Sequence, residues 1–271
     1  MTAVQTAPAP AVRVRTTNPY RSSLLRTVRS EWIKLATLRS TWWSIAIVTV
    51  LTVGIAVLIA QAVDIPGFAP IQAVVSPIQF TMLLAGVLGA ISVTGEYSTG
   101  MVRSTFAATP VRGTVLAAKA IVLAVFLFVS SVIIFLAAAL AVSGIVASRD
   151  QSIDWSDPAA SFQPILAASV AMAVFALIGV GFGFIIRSGA GAIAATVGLL
   201  FVLPVVSSMF GIAGESWQWV SDAAQYLPMV AAQSAILPGS GLDEPVAYLT
   251  LAGWVAAGLL GAWTVLRTRD A

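Results

Sequence analysis

The chain has 271 residues, of which 59% are hydrophobic and only 9% are charged, and its mean hydropathy is +0.96. A soluble domain carries roughly a quarter charged residues, so this composition excludes a water-soluble globule. The net charge of +3 and the pI near 9.7 would suit a nucleic-acid-binding protein. The basic residues, however, flank long apolar stretches and do not cluster in a soluble domain, which argues against that class.

Six apolar stretches are each long enough for a helix to cross about 30 Å of hydrocarbon. They comprise residues 42–63, 74–93, 115–147, 165–186, 190–210 and 246–266. We therefore predict an all-α polytopic membrane protein whose transmembrane domain covers residues 42–266. The third stretch exceeds one crossing, so we expect it to tilt, to kink near Ser130 and Ser131, or to extend beyond the membrane, with Lys119 reaching the headgroups.

The charges that flank these spans predict an orientation. Thirteen of the fourteen basic residues fall on one predicted side, with Arg149 as the exception, and eight of the eleven acidic residues fall on the other. Cytoplasmic segments hold an excess of Lys and Arg near the membrane. Both termini are therefore predicted to be cytoplasmic, including a short tail at residues 267–271.

Several kinds of chemistry are missing from the sequence. It has no cysteine and no histidine, so it offers no disulfide, no thiolate and few of the usual transition-metal ligands. No carboxylate lies inside the predicted spans, where proton-driven carriers usually hold one. The two lysines, Lys34 and Lys119, follow Ile33 and Ala118, so no Gly-Lys-Ser or Gly-Lys-Thr phosphate loop exists. We predict that the chain is not an enzyme and has no catalytic residue, metal or cofactor.

The segment before the first span divides into two parts. Residues 1–20 begin with a Pro/Ala-rich run and are expected to form a disordered cytoplasmic N-terminus. Residues 21–41 place apolar side chains on one arc of a helix and charged ones on the other, which predicts an amphipathic helix along the inner leaflet. Ile33 falls on the polar arc and favours contact with a partner protein. The alternative is a helix that binds anionic lipid and nothing else.

Two connections between spans are expected to hold helices of their own. In the cytoplasmic loop 95–113, Ser98 or Thr99 is predicted to cap a short helix through Phe106 that docks in a cleft of a cytoplasmic protein. The external segment 211–245 is too apolar for a plain loop, and we predict two short helices that re-enter the outer interface. These would form an outer gate with Trp217, Trp219 and Tyr226, or else rest on lipid.

Three short motifs resemble the permease subunit of an actinobacterial ABC transporter of the ABC-2 exporter type. They read Ser-Glu-Trp-Ile-Lys-Leu at residues 30–35, Leu-Arg-Ser-Thr-Trp-Trp at residues 38–43 and Thr-Gly-Glu-Tyr-Ser-Thr-Gly at residues 94–100. The match of order and spacing covers almost the whole chain. The resemblance implies a connecting helix before span one, a coupling helix after span two and a re-entrant hairpin before span six.

The resemblance also implies partners and sites. Two copies of the permease would form a homodimer in the bacterial plasma membrane, and two copies of an ATPase subunit would bind ATP and magnesium. The residues implied to contact or couple to the ATPase are Glu31, Trp32, Lys34, Glu96, Tyr97, Gly100, Met101 and Arg103. For Glu96, the alternative is a helix-end carboxylate paired with a nearby arginine. The implied cargo path lies near spans two and five and nominates Phe80, Met82, Phe201 and Met209.

Three classes of function remain open from the sequence. The first is the permease of an ATP-driven exporter for a hydrophobic or amphipathic compound such as a drug or a lipid. The second is a carrier or channel that acts alone, without nucleotide. The third is a membrane-embedded lipid-modifying enzyme, which would need an acidic or metal-binding cluster, with Asp150, Asp154 and Asp157 as the candidate group.

Overall fold

The computed structural model describes residues 23–63, 65, 68–211 and 215–268. Among these residues, six helical segments are long and apolar enough to cross a membrane: Arg39–Ala62, Pro70–Ser98, Arg112–Arg149, Pro158–Ile186, Gly189–Phe210 and Glu244–Thr268. No strand occurs in this part of the chain. The prediction of an all-helical fold with six helices long and apolar enough to cross a membrane is therefore confirmed for this part of the chain. The predicted disordered N-terminus, residues 1–20, and the end of the tail, residues 269–271, lie outside the described residues.

The described helices follow one another in the following order: α1 (Leu24–Thr37), α2 (Arg39–Ala62), α3 (Pro70–Val75), α4 (Ile78–Ser98), α5 (Met101–Ala108), α6 (Arg112–Val146), α7 (Pro158–Ile186), α8 (Gly189–Val197), α9 (Leu203–Phe210), α10 (Gln218–Ala224), α11 (Pro228–Ile236) and α12 (Glu244–Thr268). A π-helical turn, Gly198–Val202, joins α8 to α9 within one span. Short 3-10 turns cover Ala147–Arg149 and Glu215–Trp217.

The amphipathic segment before span one ends earlier than predicted. Leu38 adopts an extended backbone between α1 and α2, so residues 39–41 belong to the first span. The indole N–H of Trp42 donates to the carbonyl of Ala36 at 2.9 Å across this elbow. Trp32 and Trp42 both place an edge against the ring of Phe126 in α6, with ring centroids 6.1 and 6.4 Å apart. These contacts fix the angle at which α1 leaves the first span.

Span two is longer than predicted at both ends. It begins at α3, is interrupted at Pro77 and then continues as α4 to Ser98. Glu96 and Tyr97, which the sequence placed in a loop, therefore lie in the last turn of a transmembrane helix. The short helix predicted within loop 95–113 is α5, and its N-cap is Gly100 at φ +72°, a left-handed conformation that suits glycine. The predicted caps at residues 98 and 99 are wrong.

The long third span continues through Ser130 and Ser131 without a break in the helix. Its extra length carries Arg149 to the far end of α2. There the guanidinium donates to the carbonyls of Ala60, Gln61 and Val63 at 2.9, 2.7 and 3.2 Å. The last carbonyls of a helix have no partner within the helix and carry partial negative charge. The single basic residue on the acidic side of the bundle thus caps a helix.

Glycines bring the central helices α4 and α7 into backbone contact. A Cβ at Gly179 would overlap the carbonyl oxygen of Gly86, and one at Gly89 would overlap the carbonyl oxygen of Ala176. Close approach through small residues is how membrane helices associate without a hydrophobic driving force. α7 is the most buried span, whereas the α8–α9 span is the least buried and presents apolar side chains at its surface.

This contact predicts the effect of adding one methyl group to a glycine. Gly179→Ala is expected to destabilise the protein by about 1–3 kcal/mol, because the new Cβ forces two packed backbones apart. Gly54→Ala is the matched control, since a Cβ there meets nothing within 4 Å. Unfolding in detergent, followed by circular dichroism, measures both. Equal stability of the two variants would contradict backbone contact between α4 and α7.

Candidate functional site

Four charged side chains from three helices meet at the end of the bundle where α1 lies. The ammonium of Lys119 on α6 is 2.6 Å from Glu31 Oε2 on α1 and 2.8 Å from Glu96 Oε1 on α4. The ammonium of Lys34 on α1 is 2.7 Å from Glu31 Oε1 and 3.1 Å from Glu96 Oε1. Carboxylates and ammoniums therefore alternate around a closed loop, which we call the charge ring.

Helix geometry explains how these residues reach one another. Glu31 and Lys34 are three residues apart on α1, which places both on the same face of the helix. Lys119 also donates to the carbonyl of Ser92 at 3.3 Å, one turn before Glu96 on α4. Lys34 makes a longer contact of 3.5 Å with the hydroxyl of Thr105 on α5. The charge ring thus joins α1, α4, α5 and α6.

The charge ring is largely shielded from solvent. Glu31, Glu96 and Lys119 are 4%, 7% and 6% exposed, and only the Lys34 side chain reaches the surface in part. Removing an ion from water costs several kcal/mol, which is offset only where partners and hydrogen bonds are well placed. The formal charges of the two carboxylates and the two ammoniums sum to zero. The ring is thus a neutral group in which each buried charge has two opposite neighbours.

The pKa values of the two α1 residues follow from these contacts. Burial by itself raises the pKa of Glu31. Electrostatic attraction and hydrogen bonds from Lys119 and from Lys34 outweigh burial and hold the pKa of Glu31 below its ordinary value. Burial likewise opposes the charged form of Lys34. Hydrogen bonds and attraction from Glu31 and Glu96 prevail and raise the pKa of Lys34 above its ordinary value. Both residues are therefore held in their charged forms at neutral pH.

The structure corrects two interpretations of single residues. Lys119 does not reach toward headgroups but is buried in the charge ring. Glu96 pairs with Lys34 and Lys119, so its expected alternative partner, an arginine, is wrong. The signal for this pairing was present in the sequence. Lys119 is a charge inside a long apolar stretch, and charges at such positions are almost always paired.

The eight residues implied to couple to an ATPase separate into two groups. Glu31, Lys34 and Glu96 lie in the charge ring, and Tyr97 packs behind it. The centroid of the Tyr97 aromatic ring is 6.4 Å from that of Phe184 and 5.4 Å from Cζ of Arg187. The others lie at the surface of α1, α5 and the turn between α4 and α5: Trp32, Gly100, Met101 and Arg103. The second group is exposed, and of the first group Lys34 also reaches the surface in part.

The nominated cargo-path and gate residues lie away from the charge ring. Phe80, Phe201 and Met209 are exposed on the surface of the bundle, whereas Met82 is 1% exposed within the core. Three nominated gate residues are exposed: Trp217, Trp219 and Tyr226. The indole of Trp254 on α12 donates to the carbonyl of Tyr226 at 2.8 Å and anchors the corner between α10 and α11. The two predicted short helices exist, but α11 is mostly buried against the bundle.

Two of the three acidic residues nominated for a lipid-modifying enzyme, Asp154 and Asp157, have local structural roles. Asp157 accepts from the backbone N–H groups of Ala159 and Ala160 at 2.9 and 3.3 Å and caps α7. Hydrogen bonds from the hydroxyl and from the backbone N–H of Ser156 lower the pKa of Asp154. Within the described ranges, no three His, Cys, Asp or Glu side chains lie close enough to hold a metal ion.

No protein-family model matches this chain, and no curated protein matches it. The contacts of the charge ring are therefore the main physical basis for a functional assignment. The ring can transmit force, because a displacement of α1 must either carry α4 and α6 along or separate buried charges.

Removal of one ammonium tests the energetic role of the charge ring. Lys119→Met leaves two buried carboxylates with one partner and is expected to destabilise the protein by about 3–5 kcal/mol. The double variant Glu31→Gln with Lys119→Met restores a neutral sum and should recover part of that loss. Arg103→Met, on the exposed face of α5, is the control and should stay within about 0.5 kcal/mol of the parent. Chemical unfolding in detergent gives the free energy of unfolding of all three variants. A Lys119→Met protein as stable as the parent would contradict the energetic role of the charge ring.

The pKa shifts predict how stability depends on pH. The depressed pKa of Glu31 gives a contribution that is present above its ordinary value of 4.5 and is lost as pH falls through the folded-state pKa. The raised pKa of Lys34 gives a contribution that is present below 10.5 and is lost as pH rises through the folded-state pKa. The melting temperature should therefore fall below pH 4.5, and less steeply for Glu31→Gln. Identical acid profiles for Glu31→Gln and the parent would be inconsistent with a depressed Glu31 pKa.

Proposed function

We propose that this chain is the transmembrane permease subunit of an ATP-driven exporter of the ABC-2 type. In this proposal, two copies form a homodimer around the pathway and each receives motion from a separate ATPase subunit. The observation that carries the proposal is the charge ring. It ties the helix before span one and the helix after span two, both outside the spans, to two long transmembrane helices.

The surface around the charge ring supports a receiving role. A groove of about 430 Å³ runs between α1 and α5, with Arg26 and Ser30 on one wall and Ser104 and Ala108 on the other. Arg103 and Met101 lie exposed on α5 beside it. A small apolar anchor with a nearby cation is typical of a site that docks another protein. The excess of basic residues at this end favours its placement in the cytoplasm.

The packing behind the charge ring supports transmission into the membrane. α4 carries Glu96 at one end and contacts α7 along its length through backbone atoms at Gly86 and Gly179. No flexible side chain separates these helices, so a push on α4 is passed to α7 and is not absorbed. Closure of the ATPase subunits would thereby shift the bundle between two arrangements, as in other ligand-driven switches.

The outer surface of the bundle supports the remaining parts of the proposal. The α8–α9 span and the start of α4 expose apolar side chains, including Phe201, Met209 and Phe80. Such a surface suits a second copy of the chain related by two-fold symmetry, with the pathway between the copies. A pathway lined by uncharged apolar groups favours a hydrophobic or amphipathic cargo.

The proposal is tested by purifying the full chain from its own membrane in mild detergent. An ATP-hydrolysing subunit is expected to stay bound in a 1:1 ratio. We expect Arg103→Glu to lower ATP-driven cargo movement in reconstituted vesicles by about tenfold, which corresponds to about 1.4 kcal/mol of lost docking energy. Asp222→Lys reverses an exposed charge on α10, beyond the outer end of the spans, and should leave transport unchanged.

Two outcomes would count against the proposal. The first is concentrative movement by the chain alone in vesicles that contain no nucleotide. The second is equal ATP-driven transport by the parent, Arg103→Glu and Asp222→Lys proteins, which would remove α5 from the docking surface. Glu96→Gln separates coupling from docking, since it should depress transport more than it depresses assembly with the ATPase subunit.

A further inference from the structure

A cavity of about 310 Å³ lies directly beside the charge ring, between the elbow of α1 and α2 on one side and α4 and α6 on the other. Its size falls within the range of small-molecule binding sites. One end is formed by the four charges of the ring. The remaining walls are mainly apolar and include Leu35, Leu38, Leu88, Ile91, Val122 and Leu123. The cavity is therefore amphipathic, with a polar end and an apolar body.

Glu96 offers an unused hydrogen-bond acceptor at the polar end. Lys34 and Lys119 both donate to its Oε1, at 3.1 and 2.8 Å. Its Oε2 accepts no hydrogen bond from any residue that the structure describes, and the Glu96 side chain is 9% exposed. The acceptor capacity of this oxygen is therefore free. A ligand in the cavity that donates one hydrogen bond would use it.

The charges of the ring decide what kind of donor fits. The ring already sums to zero, so a permanently cationic head would leave an uncompensated positive charge in a poorly solvated site. An anionic head would face the carboxylate of Glu96 and be repelled. A hydroxyl or amide N–H donates to Oε2 and leaves the sum unchanged. The head group that matches this end of the cavity is therefore an uncharged hydrogen-bond donor.

The mouth of the cavity indicates where such a ligand comes from. Three exposed apolar residues stand at the rim: Leu38, Ile91 and Met101. Leu38 directly precedes the first span, and Ile91 lies two turns before the end of α4. The mouth thus opens at the edge of the apolar belt, level with the boundary between headgroups and acyl chains. An amphiphile can enter it sideways from the leaflet without passing through water.

We propose that this cavity binds a single-chain amphiphile with an uncharged hydroxyl or amide head, taken from the leaflet at the basic end of the bundle. The head donates to Glu96 Oε2, and the chain lies along Leu88, Ile91 and Val122. Because Glu96 belongs to the charge ring, an occupied cavity is in contact with the element that links α1 to α4. A role for this ligand as cargo or as a modulator of transport rests on the proposed function, whereas binding itself does not.

The test uses the purified full chain in nanodiscs, without any ATPase subunit or nucleotide. Two photoreactive probes carry the same diazirine-bearing chain, and one ends in a hydroxyl while the other ends in a methyl ether. The alcohol should label peptides of α4 and α6, and unlabelled alcohol should compete. The ether cannot donate, so its apparent affinity should be about tenfold weaker, which corresponds to the loss of one hydrogen bond to a charged acceptor.

Matched variants separate the cavity from ordinary lipid contact. Ile91→Trp fills the mouth and should abolish saturable labelling. Ile133→Trp changes the same residue type at an exposed position on α6, eleven residues beyond the cavity wall at Val122, and should label like the parent. If Ile91→Trp is not monodisperse, Leu38→Trp blocks the rim from the opposite side with the same expectation.

Equal labelling by the alcohol and the ether would overturn the proposal, as would unchanged labelling of the rim variants, since both results describe lipid that merely surrounds the bundle. Because ATP-driven transport is measured separately, the two proposals fail independently. Saturable, hydroxyl-dependent labelling without an ATPase partner would support the cavity even if the transport role were wrong. Loss of labelling in Ile91→Trp together with normal transport would show that the bound amphiphile is neither cargo nor a modulator of transport.

Discussion

A charge that leaves water must meet an opposite charge, and this requirement fixes the position of α1. Taken alone, α1 is an amphipathic helix whose Glu31 and Lys34 would be well solvated in the headgroup region. Glu96 and Lys119 change this balance, because they pair with each other in a buried position and draw Lys34 and Glu31 of α1 in as their second partners. Replacing such pairs by apolar side chains is often neutral for stability. The ring is therefore better explained as a device that specifies how α1 and α5 sit on the spans than as a source of stability.

The packing of the other helices connects the position of α1 to the centre of the bundle. α4 leads from the charge ring into the glycine-lined contact with α7, where backbones touch directly. At the same end, Arg112 donates to the carbonyl of Leu266 at 2.9 Å, and Arg187 makes a 3.5 Å contact with the carbonyl of Val265, so the last turn of α12 is also held. The α8–α9 span packs Thr196 and Leu200 against α4 at Gly86 but is the least buried of the six spans. The molecule thus combines a stiff central unit with a peripheral span whose apolar surface is open to lipid or to a second copy.

Glu96 stands where the mechanical and the ligand-binding interpretations meet. One of its oxygens closes the charge ring, and the Glu96 side chain also lines the neighbouring cavity. A hydrogen bond donated to the free oxygen would weaken the contacts of Glu96 with the two lysines and shift its carboxylate away from them. Occupancy of the cavity and the geometry of the ring are therefore linked in both directions. Such a link would let the presence of an amphiphile be sensed at the surface formed by α1 and α5.

The sequence by itself determined the class of protein and its six spans. Hydropathy is a local property that adds along the chain, so about twenty apolar residues predict a crossing whatever surrounds them. It also nominated Glu31, Lys34 and Glu96, through a resemblance of short motifs. Tertiary structure alone decided that Lys119 joins them, that Met82 is buried, and that Arg149 caps α2. Those outcomes depend on the rotation and depth of each helix, which are set by close contact between glycine-lined faces far apart in the chain, and no window of sequence contains that information.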